Sequence, residues 1–403
     1  MSQPSLKALT KNCVREHLVF VVRTVEFGGL EKHLLDLVAR LDEGVSCAIL
    51  CYGVDYYSSR LSGRSNVVVH RRDQSECGSF FSMLLTFIQL RPSAIIFVKG
   101  SMGDFGMTSC VAARCAGVRR ILAIEHLIAD PLPPPVAASG LRKYLRRYLG
   151  WRAREVLIRR LQSRLIMRTI CVSEGVRNRL VAEYGYPTSS TVTVLNGTDL
   201  RHFRPSDADE RARIRENMNL SSEEIVIVCA ARLSERKRID ILLESLAQLQ
   251  GDVPPWKCLI LGSGQLESPL KALSARLGFV DAVRFMGFVD DVKPFMCTGD
   301  VYVSPSEKEG FGLTLVEAMA CGLPCIATNI EGHNEIIMDG DTGLLVPSGS
   351  STHLATALHR LLMNDKERKR MGVNARRRVE DHFNLETAMS KIKELIYRTK
   401  EQS

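Results

Sequence analysis

Two glutamates eight positions apart flank a glycine-rich turn in the second half of the chain. Glu309 precedes the turn Gly310-Phe311-Gly312, and Glu317 follows it within an apolar stretch. The free backbone N–H groups of such a turn at a helix start bind anions such as a diphosphate. Carboxylates on either side can accept hydrogen bonds from sugar hydroxyls. The spacing predicts a sugar-diphosphate site; the other interpretation is that Glu317 lies on the hydrated face of its helix.

The elements that must position these glutamates follow one another over residues 301–328. Val301–Ser304 has the β-branched and aromatic residues of a buried strand, and a helix is predicted from Leu313 to Cys321. Gly322 ends that helix and Pro324 prevents its continuation. The segment is therefore predicted to form a strand, a loop, a helix and a second strand.

These residues carry a resemblance to a known family. The chain resembles the retaining nucleotide-sugar glycosyltransferases of family GT4 in their E-x7-E signature, and its flanks SPSEKEGFG, EAMACGLPCIAT and GHNEIIMDGDTGLLVP match as well. The resemblance implies that Glu317 holds the donor ribose and that Glu309 lies against the transferred sugar. It also implies that the donor nucleotide sugar is bound by the residues Gly310, Phe311, Gly312 and Leu313.

Two further candidates lie in the first half of the chain. Gly28 and Gly29 open a helix after the first predicted strand and match the family's GG-x-E element, although a plain tight turn would use the same residues. His126 follows a predicted strand at the end where open α/β sheets bind ligands. A lone histidine is more often structural, but family members carry a histidine at a similar place that contacts the donor sugar.

A basic pair follows the strand predicted at Ile225–Ala230. Arg232 and Lys237 could neutralise a leaving diphosphate, or could be ordinary surface charges. They match the family's R-L-x-x-x-K element, which implies the first role. The family usually has glycine next, where this chain has Arg238; we expect this departure to leave the chemistry untouched.

Length and composition restrict the class of protein. With 403 residues, of which 45% are hydrophobic and 25% charged, the chain should fold as two globular domains. Its 12 cysteines form no CxxC pair and suggest free buried thiols in a reducing compartment. We expect no signal peptide, because the start MSQPSLKALTKN is polar, and no membrane span, because the longest apolar run is interrupted by Arg91 and Pro92.

The net charge of +9 is concentrated in one segment. Residues 142–168 hold ten basic residues and one acid, Glu155, so the rest of the chain is neutral. Apolar residues recur at helical spacing through this segment, which predicts a basic amphipathic helix near 139–168. Such a helix suits an acidic bilayer, nucleic acid, or simple packing on its own domain. GT4 enzymes with lipid-linked acceptors are similar in having a basic face on the N-terminal domain, so we favour an anionic membrane surface.

The resemblance implies an α/β protein with the GT-B fold, in which two doubly wound Rossmann-like domains face each other across a cleft. We expect an acceptor-binding domain at 1–200, a nucleotide-sugar-binding domain at 201–384, and a terminal helix at 385–403 that packs back on the first domain. The enzyme should be cytoplasmic and peripheral on the inner face of the membrane. Alternating apolar runs predict parallel sheets of this kind independently.

The implied reaction transfers a hexose or N-acetylhexosamine with retention and without a metal or other cofactor. A UDP-sugar is expected over a GDP-sugar by family habit alone. The acceptor would be a glycan or lipid-linked molecule of cell-surface polysaccharide or lipopolysaccharide synthesis. A GT-B UDP-sugar epimerase and a non-catalytic glycan-binding relative remain alternatives; the first is disfavoured by the E-x7-E element, and the second by the presence of Glu309, Arg232 and Lys237.

Overall fold

The computed structural model describes residues 16–24, 28–100, 105–126, 141–249 and 253–397, with the side chains of 141–149 excepted. The chain forms two compact units, the first comprising Met1–Leu195 with Met389–Ser403 and the second Asn196–Ala388. Residues 139–140 of the predicted basic helix and 398–403 of the predicted terminal segment lie outside the described residues.

The described residues of the first unit build a parallel β-sheet. Its strands are β1 (Glu16–Thr24), β2 (Val45–Gly53), β3 (Val67–Arg72), β4 (Ala94–Lys99), β5 (Arg120–Glu125), β6 (Arg168–Cys171) and β7 (Thr191–Thr193). They pair in the order β3-β2-β1-β4-β5-β6-β7. The strand order reverses between β1 and β4, so the loops at the carboxyl ends of these two strands diverge and leave room for a ligand.

Helices connect these strands. They are α1 (Gly29–Ala39), α2 (Phe80–Leu90), α3 (Met107–Cys115), α4 (Leu141–Leu165) and α5 (Glu174–Tyr184). Right-handed crossovers place α2, α3 and α4 on one face of the sheet, because each of them leads in the same direction along the strand order. In agreement, α2 packs on α3 and α3 on α4, with Met83 and Phe87 buried against Phe97.

The second unit is a smaller parallel sheet of the same type. Its strands are β8 (Ile225–Ala230), β9 (Trp256–Leu261), β10 (Val283–Gly287), β11 (Val301–Ser304), β12 (Cys325–Thr328) and β13 (Gly343–Val346). Over the described residues they pair in the order β10-β9-β8-β11-β12-β13. The remaining helices are α6 (Ala208–Asn217), α7 (Ile239–Ala247), α8 (Glu267–Arg276), α9 (Lys293–Thr298), α10 (Leu313–Ala320), α11 (His333–Ile336), α12 (Ser351–Met363), α13 (Asp365–His382) and α14 (Leu385–Tyr397).

The prediction of two parallel, doubly wound α/β units is confirmed. One detail of the basic segment is corrected: α4 ends at Leu165, and Arg168 begins β6 instead of continuing the helix. The reason is sheet pairing, since Met167 N donates a hydrogen bond to Ile121 O and Arg168 pairs with Leu122 in the ladder. The described cysteines are free thiols, and most of them are buried, as their positions in apolar runs indicate.

Candidate functional site

Two neighbouring strands of the second sheet bring the predicted basic and acidic residues together. β8 and β11 are adjacent and parallel, so the loops that follow them lie side by side at one edge of the sheet. The loop after β8 carries Lys237 on a short 3₁₀ turn, and the loop after β11 carries Glu309. Lys237 Nζ donates a short hydrogen bond to Glu309 Oε1, which also accepts one of 2.8 Å from Ser306 Oγ.

This environment keeps Glu309 ionised. Burial would raise the pKa of its carboxyl, but the Lys237 ammonium and the hydrogen bonds from Lys237 and Ser306 outweigh that effect and lower the pKa to about 2. Both side chains of the ion pair remain accessible, with 16% of Lys237 and 15% of Glu309 exposed. The pair can therefore present a carboxylate to sugar hydroxyls and an ammonium to a phosphate at neutral pH.

The glycine turn after Glu309 leads directly into α10. Gly312 caps the helix with φ of 115°, a left-handed conformation that favours glycine, and a Cβ there would lie 3.2 Å from His333 Cδ2. Gly310 and Phe311 are buried, and Phe311 packs edge-on against Phe383 at 5.7 Å between ring centroids. The packing of Phe311 therefore anchors the turn. The N-terminus of α10, which begins at Leu313, is the positive end of the helix dipole.

Glu317 lies in the second turn of α10 and is buried, with 2% of the residue exposed. The interpretation of Glu317 as part of a hydrated helix face is therefore wrong. One turn earlier, Thr314 Oγ1 accepts a 2.8 Å hydrogen bond from Tyr302 OH, which fixes the start of the helix to β11. A carboxylate buried to this extent requires hydrogen-bond or charge partners.

Sequence reasoning missed His333, which packs against the Gly312 turn. It is fully buried, its Nδ1 lies 3.1 Å from Thr328 O, and its Nε2 lies 3.3 Å from Ser304 Oγ. Because a carbonyl can only accept, Nδ1 carries the proton and Nε2 accepts from the Ser304 hydroxyl. Thr328 Oγ1 in turn donates to Ser306 O, in the loop that carries Glu309. The signal was present in the family-matching flank GHNEIIMDGDTGLLVP, where the histidine follows Gly332.

Arg232 and Arg238 lie on either side of Lys237 in the same loop. Arg232 is partly buried two residues beyond the end of β8, at the carboxyl edge of the sheet. Arg238 has φ of 49° and pairs its guanidinium with Asp240 and Glu307. The left-handed backbone explains why glycine suits this position.

In the first unit the structure links the glycine pair to the predicted histidine. Gly28 caps α1 and Gly29 is its first residue. One turn along α1, His33 meets His126, which follows β5, with the rings edge-on at 4.7 Å between centroids. His126 and the α1 terminus therefore belong to one cluster.

Both histidines of this cluster are buried and neutral. Burial lowers the pKa of His33 to about 4 and that of His126 well below its usual value, and the neighbouring ring lowers the latter further. His126 Nε2 and both ring nitrogens of His33 have no hydrogen-bond partner among the described residues. Beside His126, Lys99 Nζ donates a 2.9 Å hydrogen bond to Glu125 in a buried ion pair, which pins the carboxyl ends of β4 and β5 together.

The described part of the chain contains neither a cluster of metal ligands nor a membrane-spanning helix. Within that part of the chain, no group of three or more His, Cys, Asp or Glu side chains could hold a metal ion. Among the helices described, none combines the length and apolar character needed to cross a membrane.

Comparisons with known proteins identify the relatives of both halves. The family model for Glycosyltransferase Family 4 matches residues 27–202, and the model for Glycosyl transferases group 1 matches residues 210–378. The chain is similar to a GDP-mannose-dependent alpha-(1-6)-phosphatidylinositol monomannoside mannosyltransferase of Mycolicibacterium smegmatis, with 30% identity over 70% of this chain and 72% of that protein.

A second curated relative is the N-acetyl-alpha-D-glucosaminyl L-malate synthase of Bacillus anthracis, 31% identical over 52% of this chain. The match spans about half, 54%, of that protein's length. The solved structure of Anabaena Alr3699/HepE in complex with UDP-glucose superposes with a TM-score of 0.77 at 19% identity, covering 95% of this chain and 100% of that one. The likeness shows that the two parallel-sheet units have the GT-B fold.

Proposed function

The chain belongs to glycosyltransferase family 4, and from that membership we propose that it moves a hexose or N-acetylhexosamine from a nucleotide sugar to a glycan or lipid-linked acceptor, with retention of configuration. The observation that carries the proposal is the Lys237–Glu309 pair at the N-terminal turn of α10. A partly accessible carboxylate, a partly accessible ammonium and a helix N-terminus suit a sugar attached to a diphosphate.

In the proposed reaction the bond between the anomeric carbon and the phosphate oxygen breaks. The acceptor hydroxyl attacks from the same face, and its proton passes to the departing phosphate, so no protein nucleophile is needed. Lys237, Arg232 and the N–H groups at Gly312 stabilise the diphosphate charge in place of a metal. Glu309 orients the sugar and stabilises positive charge at the anomeric carbon; with a pKa of about 2, it cannot act as a general acid at neutral pH.

The remaining candidates have binding roles in this proposal. Glu317 accepts hydrogen bonds from the ribose hydroxyls, and Leu313 and the preceding turn hold the diphosphate through their backbone N–H groups. His126 contacts the donor sugar, and the backbone at Gly28 and Gly29 allows a close approach at the start of α1. Support comes from the burial of Glu317 and from the unpartnered nitrogen of His126.

For the donor we propose a UDP-sugar, and for the acceptor a lipid-linked glycan or glycolipid of cell-surface polysaccharide or lipopolysaccharide synthesis. The Anabaena neighbour binds UDP-glucose, whereas the Mycolicibacterium relative is GDP-mannose-dependent, so both nucleotides must be tested. We also propose that the enzyme works at the inner face of the cytoplasmic membrane. The exposed arginines of α4 support an anionic surface as its partner.

The experiment is a release assay for UDP and GDP over a panel of nucleotide sugars, with and without EDTA. We expect slow hydrolysis of one donor, unchanged by EDTA, and a transferred sugar whose anomeric configuration by NMR equals that of the donor. Loss of turnover in EDTA would contradict metal independence, and an inverted product would contradict retention. If no donor is bound or hydrolysed, the catalytic proposal fails.

A further inference from the structure

Helix α2 carries a row of large apolar side chains that point away from the protein. Phe81, Leu85 and Ile88 are 74%, 66% and 50% exposed, and their spacing places them on one face of the helix. The opposite face buries Met83 and Phe87 completely against the sheet. The helix has no charged residue. Exposed apolar residues that occur singly are ordinary, but three in a row on one helix mark an interaction surface.

Helix α4 adds basic residues to the same layer. Its outward face consists of exposed residues at helical spacing, with Leu157 and Leu161 between arginines. These arginines are Arg154, Arg160 and Arg164. Because α2, α3 and α4 cover one face of the sheet side by side, the row on α2 and the arginine-leucine face of α4 belong to one continuous surface. We call it the α2–α4 face.

The arginines of α4 whose side chains are described fall into two sets. Arg152 bonds to Glu183 and Tyr184, and Arg159 is buried, bonding to Glu155 at 2.6 Å and lying over the Tyr184 ring. These two hold α4 against α5. Glu155 is the only acid in the sequences of α2, α3 and α4, and it is used in this contact. No other acid lies on α2, α3 or α4 beside the outward arginines. The acids of the adjoining α5 are paired with other arginines, Glu174 with Arg177 and Glu183 with Arg152 and Arg179.

We propose that the α2–α4 face docks on an anionic bilayer, with Phe81, Leu85 and Ile88 inserted among the acyl chains and the arginines of α4 among the headgroups. The inference rests on the proposed function, which supplies a lipid-linked acceptor, and names the surface that reaches it. Burial of the apolar row supplies affinity that charge alone does not, and the arginines supply preference for anionic lipid.

Charge argues against the other occupants. A symmetric pair of chains joined through this face would bring the same arginines near one another, which is unfavourable. A nucleic acid would use the arginines and leave the uncharged row on α2 in water. A bilayer with anionic headgroups satisfies both halves of the surface.

The test is sedimentation with phosphatidylcholine vesicles, with and without phosphatidylglycerol, using three variants of the full chain. The row variant is Phe81→Gln/Leu85→Gln/Ile88→Gln, since glutamine preserves helix propensity. The charge variant is Arg154→Gln/Arg160→Gln/Arg164→Gln. The matched control, Val280→Gln/Val373→Gln, replaces valines of the second unit that are 78% and 69% exposed.

We expect the wild type and the control to bind anionic vesicles equally. The row variant should bind about tenfold more weakly or worse at any salt concentration. The charge variant should lose about fivefold per arginine at low salt and little at high salt. The fluorescence of the tryptophan introduced by Phe81→Trp should be quenched by lipid that is brominated on its acyl chain. This quenching distinguishes insertion into the bilayer from adsorption on its surface.

Equal vesicle binding by the row variant and the wild type would overturn the proposal. A dimer in lipid-free solution that the row variant abolishes would assign the face to a second copy, and binding to an oligonucleotide in place of vesicles would assign it to nucleic acid. Donor hydrolysis is measured on the same samples. Hydrolysis without vesicle binding overturns the docking face alone, whereas vesicle binding without hydrolysis of any donor overturns the proposed function.

Discussion

Both units bury histidines beside their candidate site residues, but the hydrogen bonding of the ring nitrogens differs between the units. In the second unit, both ring nitrogens of His333 have hydrogen-bond partners, and the ring fills the space beneath the Gly312 turn. In the first unit, His33 and His126 meet each other, and three of their four ring nitrogens have no partner among the described residues. His333 is thus a structural support, whereas the histidine pair keeps unused hydrogen-bonding capacity.

The difference shows how the two sites are prepared. Buried polar groups without partners are costly, and they persist in proteins mainly where they have a task. The charged site of the second unit consists of Lys237 and Glu309. Its charges are balanced without a ligand, since the two side chains neutralise each other. Among the described residues, the histidine pair of the first unit leaves these nitrogens open to hydrogen bonds from another molecule.

The largest effect should come from breaking the charged site. Lys237→Ala should lower kcat by about 10² to 10³ with a smaller change in donor KM, because the ammonium stabilises charge that develops on the leaving diphosphate. The control is Arg236→Ala, which removes an exposed positive charge one residue away. Steady-state kinetics with the preferred donor measure both variants. Normal turnover in Lys237→Ala would remove the leaving-group role.

Acidification should destabilise the first unit more strongly than the second, because burial lowers the pKa of both His33 and His126, whereas the Glu309 carboxylate opposes the effect of burial on the pKa of His333. The pKa of His33 is depressed to about 4, so its contribution to stability is present above about pH 6.5 and is lost as the pH falls towards 4, on the order of 3 kcal/mol. The pKa of Glu309 is depressed to about 2, so its contribution is lost only below about pH 4.5.

The two tryptophans of the chain allow each unit to be followed separately, since Trp151 belongs to the first and Trp256 to the second. Fluorescence unfolding in urea is measured from pH 7 to 4 with Trp256→Phe to report the first unit and Trp151→Phe to report the second. We expect the first unit to weaken earlier, and His33→Leu to reduce that loss. Parallel decline of both reporters, unchanged by His33→Leu, would contradict the assignment.

The donor-binding role of Glu317 predicts a different kinetic signature from that of Lys237. Glu317→Ala should raise donor KM by about 10- to 100-fold, because charge-assisted hydrogen bonds to a ribose are lost in the ground state and the transition state alike. Thermal unfolding of the same variant checks that the buried site still folds. An unchanged KM for the nucleotide sugar would contradict the ribose contact.

The contrast between the histidines can be tested by removing each ring. His333→Leu should lower the free energy of unfolding by about 2 kcal/mol, since it leaves the buried Ser304 hydroxyl without its hydrogen-bond partner. His33→Leu should change it by less than about 1 kcal/mol at pH 7.5, since an apolar side chain replaces a ring without partners. Urea unfolding compares the two. Equal losses would show that both histidines are structural.

The sequence predicted the elements that carry strong local signals. Buried β-branched runs were sufficient for Ile225–Ala230 and Val301–Ser304, whose ends agree with the structure. What it could not supply were pairings between distant residues. The meeting of His33 with His126 and the bonding of His333 to Ser304 depend on which strands are neighbours, and no local pattern records that. Likewise, the exposed row on α2 has no signal in the sequence, because periodicity shows which residues form a stripe but not which stripe stays exposed.

The smallest effect is expected at Arg238, where this chain departs from its family. Arg238→Gly removes the strain of a left-handed backbone at a non-glycine residue, which stabilises the fold by about 1 kcal/mol. The loss of the ion pair with Asp240 and the greater conformational freedom of the unfolded chain together destabilise it by about 1 kcal/mol. The free energy of unfolding should therefore change by less than about 0.5 kcal/mol, and donor kinetics should match the wild type. If kcat instead falls as it does in Lys237→Ala, the charged site extends to Arg238, and the separation between a catalytic lysine and a structural arginine at its side is wrong.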